Sequence, residues 1–239
     1  MRAKTIHSAP SVDLSRRVSR RREERTPYDA LRPWSAITHG LGAALAVLGT
    51  IYLLFACAAA GEWVKFVVFA VYGASMVCLY TASTLYHCLR VSVPGRLALR
   101  KYDHCAIYLL IAGSYTPICV VVLEPKVGLT MLCAIWVMAV LGVTLTVAKG
   151  NIPRLLTSLI YLGMGWLAVF AVVPICRSLS AEGFFDLLLG GVLYSVGGVL
   201  YALKWPGRDN PRFGCHEIFH VFILLGSVCH FRMMAGSVL

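Results

Sequence analysis

The sequence predicts an all-α membrane protein, a seven-transmembrane helix bundle, and three observations carry that expectation. Hydrophobic residues make up 59% of the chain and charged residues only 14%, with a mean hydropathy of +0.75, outside the range of soluble globular domains. Seven apolar runs, at 37–60, 64–86, 106–123, 127–147, 155–175, 184–203 and 216–239, are long enough to cross a hydrocarbon layer of ~30 Å. Backbone groups in lipid are satisfied only by helices or a closed barrel, and unbroken runs of this length indicate helices.

Pro33-Trp34 suits the start of the first run, since proline is tolerated in a first turn and tryptophan favours the membrane interface. The second run closes on Ser83-Thr84-Leu85-Tyr86-His87. The third follows Lys101-Tyr102-Asp103-His104 and contains Pro117, which is expected to kink it. In the sixth run, Gly190, Gly191, Gly197 and Gly198 recur at a spacing of seven, a small-residue face for close helix contact. The seventh opens on Gly214-Cys215-His216-Glu217-Ile218-Phe219-His220. No repeat relates the halves, so the expected organisation is one membrane domain, 33–239, after a basic tail, 1–32.

That tail, with Ser15-Arg16-Arg17-Val18-Ser19-Arg20-Arg21-Arg22 at its centre, is too polar to build a core and is expected to lack fixed structure. It matches a twin-arginine export signal only on paper, because the apolar run lies well downstream and is long enough to span. It reads as a topology-setting tail, with binding to anionic lipid as the sharper alternative. Nucleic acid is not an expected partner, since no folded basic surface with interleaved aromatics accompanies the charge.

The basic residues also give an orientation. Of the 22 Lys and Arg, only Lys65, Lys126, Arg177 and Arg232 fall on one side of a seven-span topology, leaving 18 on the other. By the positive-inside rule the N-terminus is cytoplasmic and the C-terminus outside. The chain is then a multi-pass protein of a cell membrane, expected to be the bacterial plasma membrane.

In this topology His87 ends the second span, Asp103 precedes the third and His216 opens the seventh, all at the cytoplasmic level; His39, early in the first, joins them. On a helix, His216 and His220 share one face about 40° apart and roughly 6 Å along the axis, and Ser83 lies one turn below His87. Polar groups inside a bundle are costly and seldom idle. His87, His216 and His220 could supply three neutral nitrogens to Zn²⁺ and leave a fourth position open, as catalytic zinc sites do. Asp103 could hold a water or orient a ligand histidine, and Ser83 could add a hydrogen bond to substrate or ligand. Cys88, Cys105 and Cys215 each neighbour a histidine and are alternative ligands or redox-sensitive thiols, although adjacent helical residues point some 100° apart. His216-Glu217-x-x-His220 also satisfies the H-E-x-x-H pattern of zinc proteases. The third ligand then lies upstream in the second span, and Glu217 is expected to be a solvated or interfacial residue.

Ser83-x-x-x-His87, Asp103 and His216-x-x-x-His220 resemble the defining pattern of the progestin and adipoQ receptor family, in the superfamily that includes alkaline ceramidases. Thr38-His39-Gly40, Asp103-His104, Ile111-Ala112-Gly113-Ser114-Tyr115-Thr116-Pro117, Tyr161-Leu162-Gly163-Met164-Gly165-Trp166 and the stretch through His230-Phe231 resemble its bacterial hemolysin III branch, over residues 33–234. The resemblance implies a seven-helix fold with the N-terminus inside. It implies zinc held by His87, His216 and His220, with Asp103 acting through water. Relatives are linked to hydrolysis of ceramide-like lipid amides, so a membrane lipid is the implied substrate; bacterial members carry a haemolysis label. A metal-bound sensor or receptor and a membrane-lytic protein stand as the other function classes.

Overall fold

A computed structural model describes residues 31–149, 152–207, 210 and 213–239. Seven helices are long and apolar enough to span a membrane: α1 (Pro33–Ala60), α2 (Trp63–Cys88), α3 (Val93–Val122), α4 (Pro125–Lys149), α5 (Leu155–Ser178), α6 (Ala181–Leu203) and α7 (Cys215–Val238). No strand occurs among the described residues. Of the tail predicted for 1–32, residues 1–30 lie outside the described residues, and Arg32 belongs to the bundle, as its contacts show below.

Neighbouring helices pack as α1 on α2 and α7, α2 on α3, α6 on α7, and α5 on α6 and α3, with α4 outside α3. More than half of the most apolar window is buried in α2 and in α3, at 56% each, against 17% in α1 and in α5. The first pair therefore forms the centre, built on Phe69, Tyr72, Met76, Leu79, Tyr80 and Tyr108. The other helices turn apolar side chains such as Phe55 and Phe170 outward, the all-round apolarity expected of a lipid-facing helix.

The largest departure from expectation is the start of α3. The apolar run begins at 106, but the helix begins at Val93, with the Ser92 side chain accepting from the Gly95 amide at 3.4 Å as its N-cap. Asp103, expected to precede the third span, therefore stands within the helix. Arg96, Arg100 and Asp103 keep the apolar run from starting earlier, because the face of α3 that carries them borders a cavity.

Three helices change winding, α7 only at its end, where Met234–Val238 is a π-helix. After Pro117, where a kink was expected, α3 continues as a π-helix over Ile118–Val122. Helix α5 passes from α-helix (Arg154–Trp166) through a 3-10 stretch (Leu167–Ala171) to a final α turn (Val172–Ser178). The Tyr115 hydroxyl of α3 meets that break, accepting from the Ala168 amide at 2.8 Å and lying 2.7 Å from the Gly165 carbonyl oxygen. A side chain inserted in the ladder satisfies the backbone groups that the change of winding releases.

The glycines of α6 do not form one face. Gly190 and Gly197 lie against His230 and Phe222 of α7, where a Cβ would collide. Gly191 and Gly198 face the cavity, and a Cβ on Gly191 would meet nothing within 4 Å.

Candidate metal centre

Three imidazoles converge at one end of the bundle. His87 closes α2, while His216 and His220 lie one turn apart at the start of α7. His216 Nε2 is 3.1 Å from His87 Nε2 and 3.2 Å from His220 Nε2. Ligand atoms of the three residues all lie within 4.8 Å of one another, and the group they form could hold a metal ion. His87 and His220 are buried, while His216 is half-buried.

The donor set fits a metal with three protein ligands. A tetrahedral ion with Zn–N bonds of about 2.0–2.1 Å keeps its nitrogens roughly 3.3 Å apart, close to the separations of His216 Nε2 from the other two Nε2 atoms. None of the neighbouring cysteines belongs to the group: Cys88 is exposed, and Cys105 and Cys215 are buried elsewhere. His39 of α1 is buried and stacks on His220, with ring centroids 3.7 Å apart, and neither of its nitrogens has a hydrogen-bond partner among the described residues.

The start of α7 is held from both sides. Glu217 Oε1 accepts from Arg32 Nη1 at 2.8 Å and from the Ser35 hydroxyl at 3.3 Å, and Oε2 accepts from the Gly214 amide at 2.9 Å. Glu217 is 1% exposed. The expectation of a solvated or interfacial glutamate is therefore overturned, because its carboxylate caps the first turn of its own helix and ties that turn to α1. The Arg32 amide also donates to the His87 carbonyl at 3.1 Å, so one residue braces both ligand-bearing helices.

A cavity of about 620 Å³ begins at the histidines and runs down the bundle between α2, α3, α5, α6 and α7. It follows α3 from Arg96 to Ile118, roughly 30 Å at the 1.5 Å rise of a helix. Its wall near the histidines includes Asp103, Tyr86, Arg96 and Arg100; further along it is mostly apolar, with Ile111, Ile118, Ile175 and Leu188, and carries Ser195 and His230 as well. Asp103 Oδ2 lies 3.5 Å from His104 Nδ1, and its side chain is 13% exposed. Ser83 is buried on α2 beneath His87 and is not part of the cavity wall. Neither is Glu217.

A family profile described as Haemolysin-III related matches residues 32–231. The chain belongs to the haemolysin III family. It is 39% identical over 197 residues to the hemolysin-3 homolog of Bacillus subtilis, covering 82% of this chain and 89% of the relative. Identity to hemolysin-3 of Bacillus cereus is also 39% over 197 residues, covering 82% and 87%. More distant is the adiponectin receptor protein of Drosophila melanogaster, 30% identical over 161 residues, which are 58% of this chain and 34% of the receptor. These relatives set the haemolysin III chain within the wider progestin and adipoQ receptor family. With seven spanning helices, it is a multi-pass protein of the bacterial plasma membrane.

The sequence does bring out the residues that meet here: His87, His216 and His220, with His39 beside them and Asp103 in the same cavity wall. It does not bring out the Arg32–Glu217 pair or the place of Arg96 and Arg100. A signal for the second was present. Arg96, Arg100, Asp103, Ile107, Ile111, Ser114 and Ile118 follow one another at spacings of three and four, the mark of one helical face running from the polar stretch into the apolar run.

Proposed function

We propose that this chain is a zinc-dependent hydrolase of a lipid amide or ester, with its metal centre at the cytoplasmic face. The observation that carries the reading is a three-histidine group at the polar end of a long, mostly apolar cavity, with a carboxylate in the same wall. A structural zinc is closed by four protein ligands, whereas three leave a position for water or substrate.

His87, His216 and His220 would hold the ion, which when bound supplies Lewis acidity toward water and a carbonyl oxygen. The apolar wall takes the acyl chain and so sets the amide or ester carbonyl at the histidine end. The Asp103 carboxylate, near His104 Nδ1, accepts a proton from water and returns it to the leaving group. Ser83, buried beneath His87 rather than in the cavity wall, is given no substrate contact in this proposal. The protease-like reading loses its base, because both oxygens of Glu217 accept hydrogen bonds at the start of α7. The cytoplasmic placement rests on the 18 basic residues at that end against four at the other.

Asp103→Asn in purified protein reconstituted in lipid tests the chemistry, with metal quantified beside fatty-acid release from a panel of ceramides and phospholipids. The variant should keep its metal and lose turnover by ~10²–10⁴-fold, as expected for lost general-base assistance. Full turnover in the Asn variant would remove Asp103 from the mechanism, and a metal-loaded wild type that releases no fatty acid would sink the hydrolase reading.

A further inference from the structure

The cavity starts at the histidines and meets a floor at the opposite end of the bundle. There the last segment of α5 (Val172–Ser178) packs on the π-helical end of α3 (Ile118–Val122) and on α6. The end of α7 (Met234–Val238) packs on the same end of α3 and on α6. Leu123, Met234 and Val238 are buried in this packing without lining the cavity, whose last wall residues on α3 and α5 are Ile118 and Ile175. A chain that enters from the histidine end is stopped by close-packed side chains.

The helix rise gives the depth. The wall of α3 from Asp103 to Ile118 measures roughly 22 Å at 1.5 Å per residue. An extended chain advances about 1.2 Å per bond, a third of the span of an extended peptide residue, so this depth takes about 18 carbons. Partway down stands Gly191. From Tyr201, whose ring lies 5.6 Å from that of His216, α6 runs roughly 15 Å to Gly191, or about 12 carbons. Gly191 lies on the cavity-lining face of α6 with Leu188 and Ser195, away from the exposed Phe185, Val192 and Val196. A Cβ on it would meet nothing within 4 Å. The Ser195 hydroxyl beside it is occupied, donating to the Gly191 carbonyl at 2.7 Å and accepting from Trp166 Nε1 at 2.9 Å. This stretch of wall therefore offers an alkyl chain room without a polar group in need of a partner.

We infer that the cavity gauges the length of an acyl chain: its closed end sets an upper limit of about 18 carbons, and Gly191 keeps open the part beyond about 12. Gly191 is then a residue that determines chain-length specificity. This rests on the hydrolase reading for the fate of the ligand and adds a chain length to its substrate class. Binding itself does not need that reading.

The test is binding to metal-loaded protein reconstituted in lipid, with fatty-acid release followed separately. Saturated N-acylethanolamines of 12, 18 and 24 carbons share one headgroup. Affinities are expressed against the mole fraction of probe in the bilayer, so that partition of the chain into lipid cancels. Wild type should bind the 12- and 18-carbon probes comparably and the 24-carbon probe about tenfold more weakly or worse. Gly191→Leu, which puts a better helix former in place of glycine, should weaken the 18-carbon probe by roughly 10- to 100-fold, the scale of an overpacked contact. It should leave the 12-carbon probe and the metal content unchanged. Gly163→Leu is the control, since a Cβ on Gly163 also meets nothing within 4 Å but Gly163 lies outside the cavity wall; it should change none of these. If Gly191→Leu does not insert, Gly191→Ala should weaken the 18-carbon probe against the 12-carbon one by a smaller margin. Equal wild-type binding at all three lengths overturns the inference, as does an unchanged length preference in the Gly191 variant that inserts. Length-dependent binding that shifts with Gly191, without release of fatty acid, would leave this inference standing and remove the hydrolase reading instead.

Discussion

At the histidine end of the bundle the buried Glu217 meets Arg32 at 2.8 Å and accepts further hydrogen bonds from Ser35 and Gly214. At the far end of the same helix, Arg232 meets the buried Asp186 of α6 at 3.4 Å, and Asp186 Oδ1 has no hydrogen-bond partner. The arginines differ in the same sense, with side chains 38% and 66% exposed. Histidines repeat the contrast: three rings point their Nε2 atoms at one another at one end, while Nε2 of the lone His230 at the other has no partner. Similar residues thus make a connected group at one end and separate contacts at the other. The difference lies in how many polar groups are joined in one network, since bonds that share partners hold one another in place; single atoms without a hydrogen-bond partner, such as both nitrogens of His39, occur at the histidine end as well.

The sharpest way to break this comparison is at the histidines. His220→Ala should remove nearly all bound metal from purified protein, whereas His230→Ala should retain it, as measured by elemental analysis per chain. Equal loss from both would mean that the two ends are not different in kind. Next in size is the pair of carboxylates. Glu217→Ala gives up hydrogen bonds from a charged partner and a helix cap, and should cost about 2–3 kcal/mol in detergent unfolding. Asp186→Ala, whose partner is mostly exposed, should cost less than ~1 kcal/mol. If the order is reversed, the Arg32 contact does not brace the site. The smallest effect separates neighbouring glycines of α6. Gly190→Ala pushes a methyl group into His230 and should destabilise by about 1–3 kcal/mol. Gly191→Ala points into open space and should stay within about 0.5 kcal/mol; equal melting temperatures for the two would show that α6 is not seated on α7 as described.

Lipid exposure governs what the sequence made legible. All seven spans were visible because lipid-facing residues such as Phe55, Leu48 and Phe170 must be apolar, and their runs delimit the helices to within a few residues. The rule fails where a helix faces inward. The start of α3 was missed because Arg96, Arg100 and Asp103 line a cavity and need not be lipophilic. The histidine group was legible because each ligand stood at a span end on the same side. Glu217 was misread because a charged residue at a helix start looks interfacial until its partner is known, and that partner, Arg32, lies 185 residues away in the chain. The cavity itself leaves no local trace. Gly191 and Gly198 help to keep it open, yet in sequence they are indistinguishable from Gly190 and Gly197, which pack against α7.

Arg32 touches the His87 carbonyl through its backbone and Glu217 through its side chain. In a chain threaded into the membrane from its N-terminus, α1 and α2 are in place while α7 has yet to be made. His87 then waits without its companions, and Arg32 without its acid. Neither the three-histidine group nor its brace can form until α7 arrives, so an ion held there would report that α7 is in place. A chain stalled or cut before α7 would present no assembled site to the cell, and metal uptake during biogenesis would serve as a readout of finished assembly.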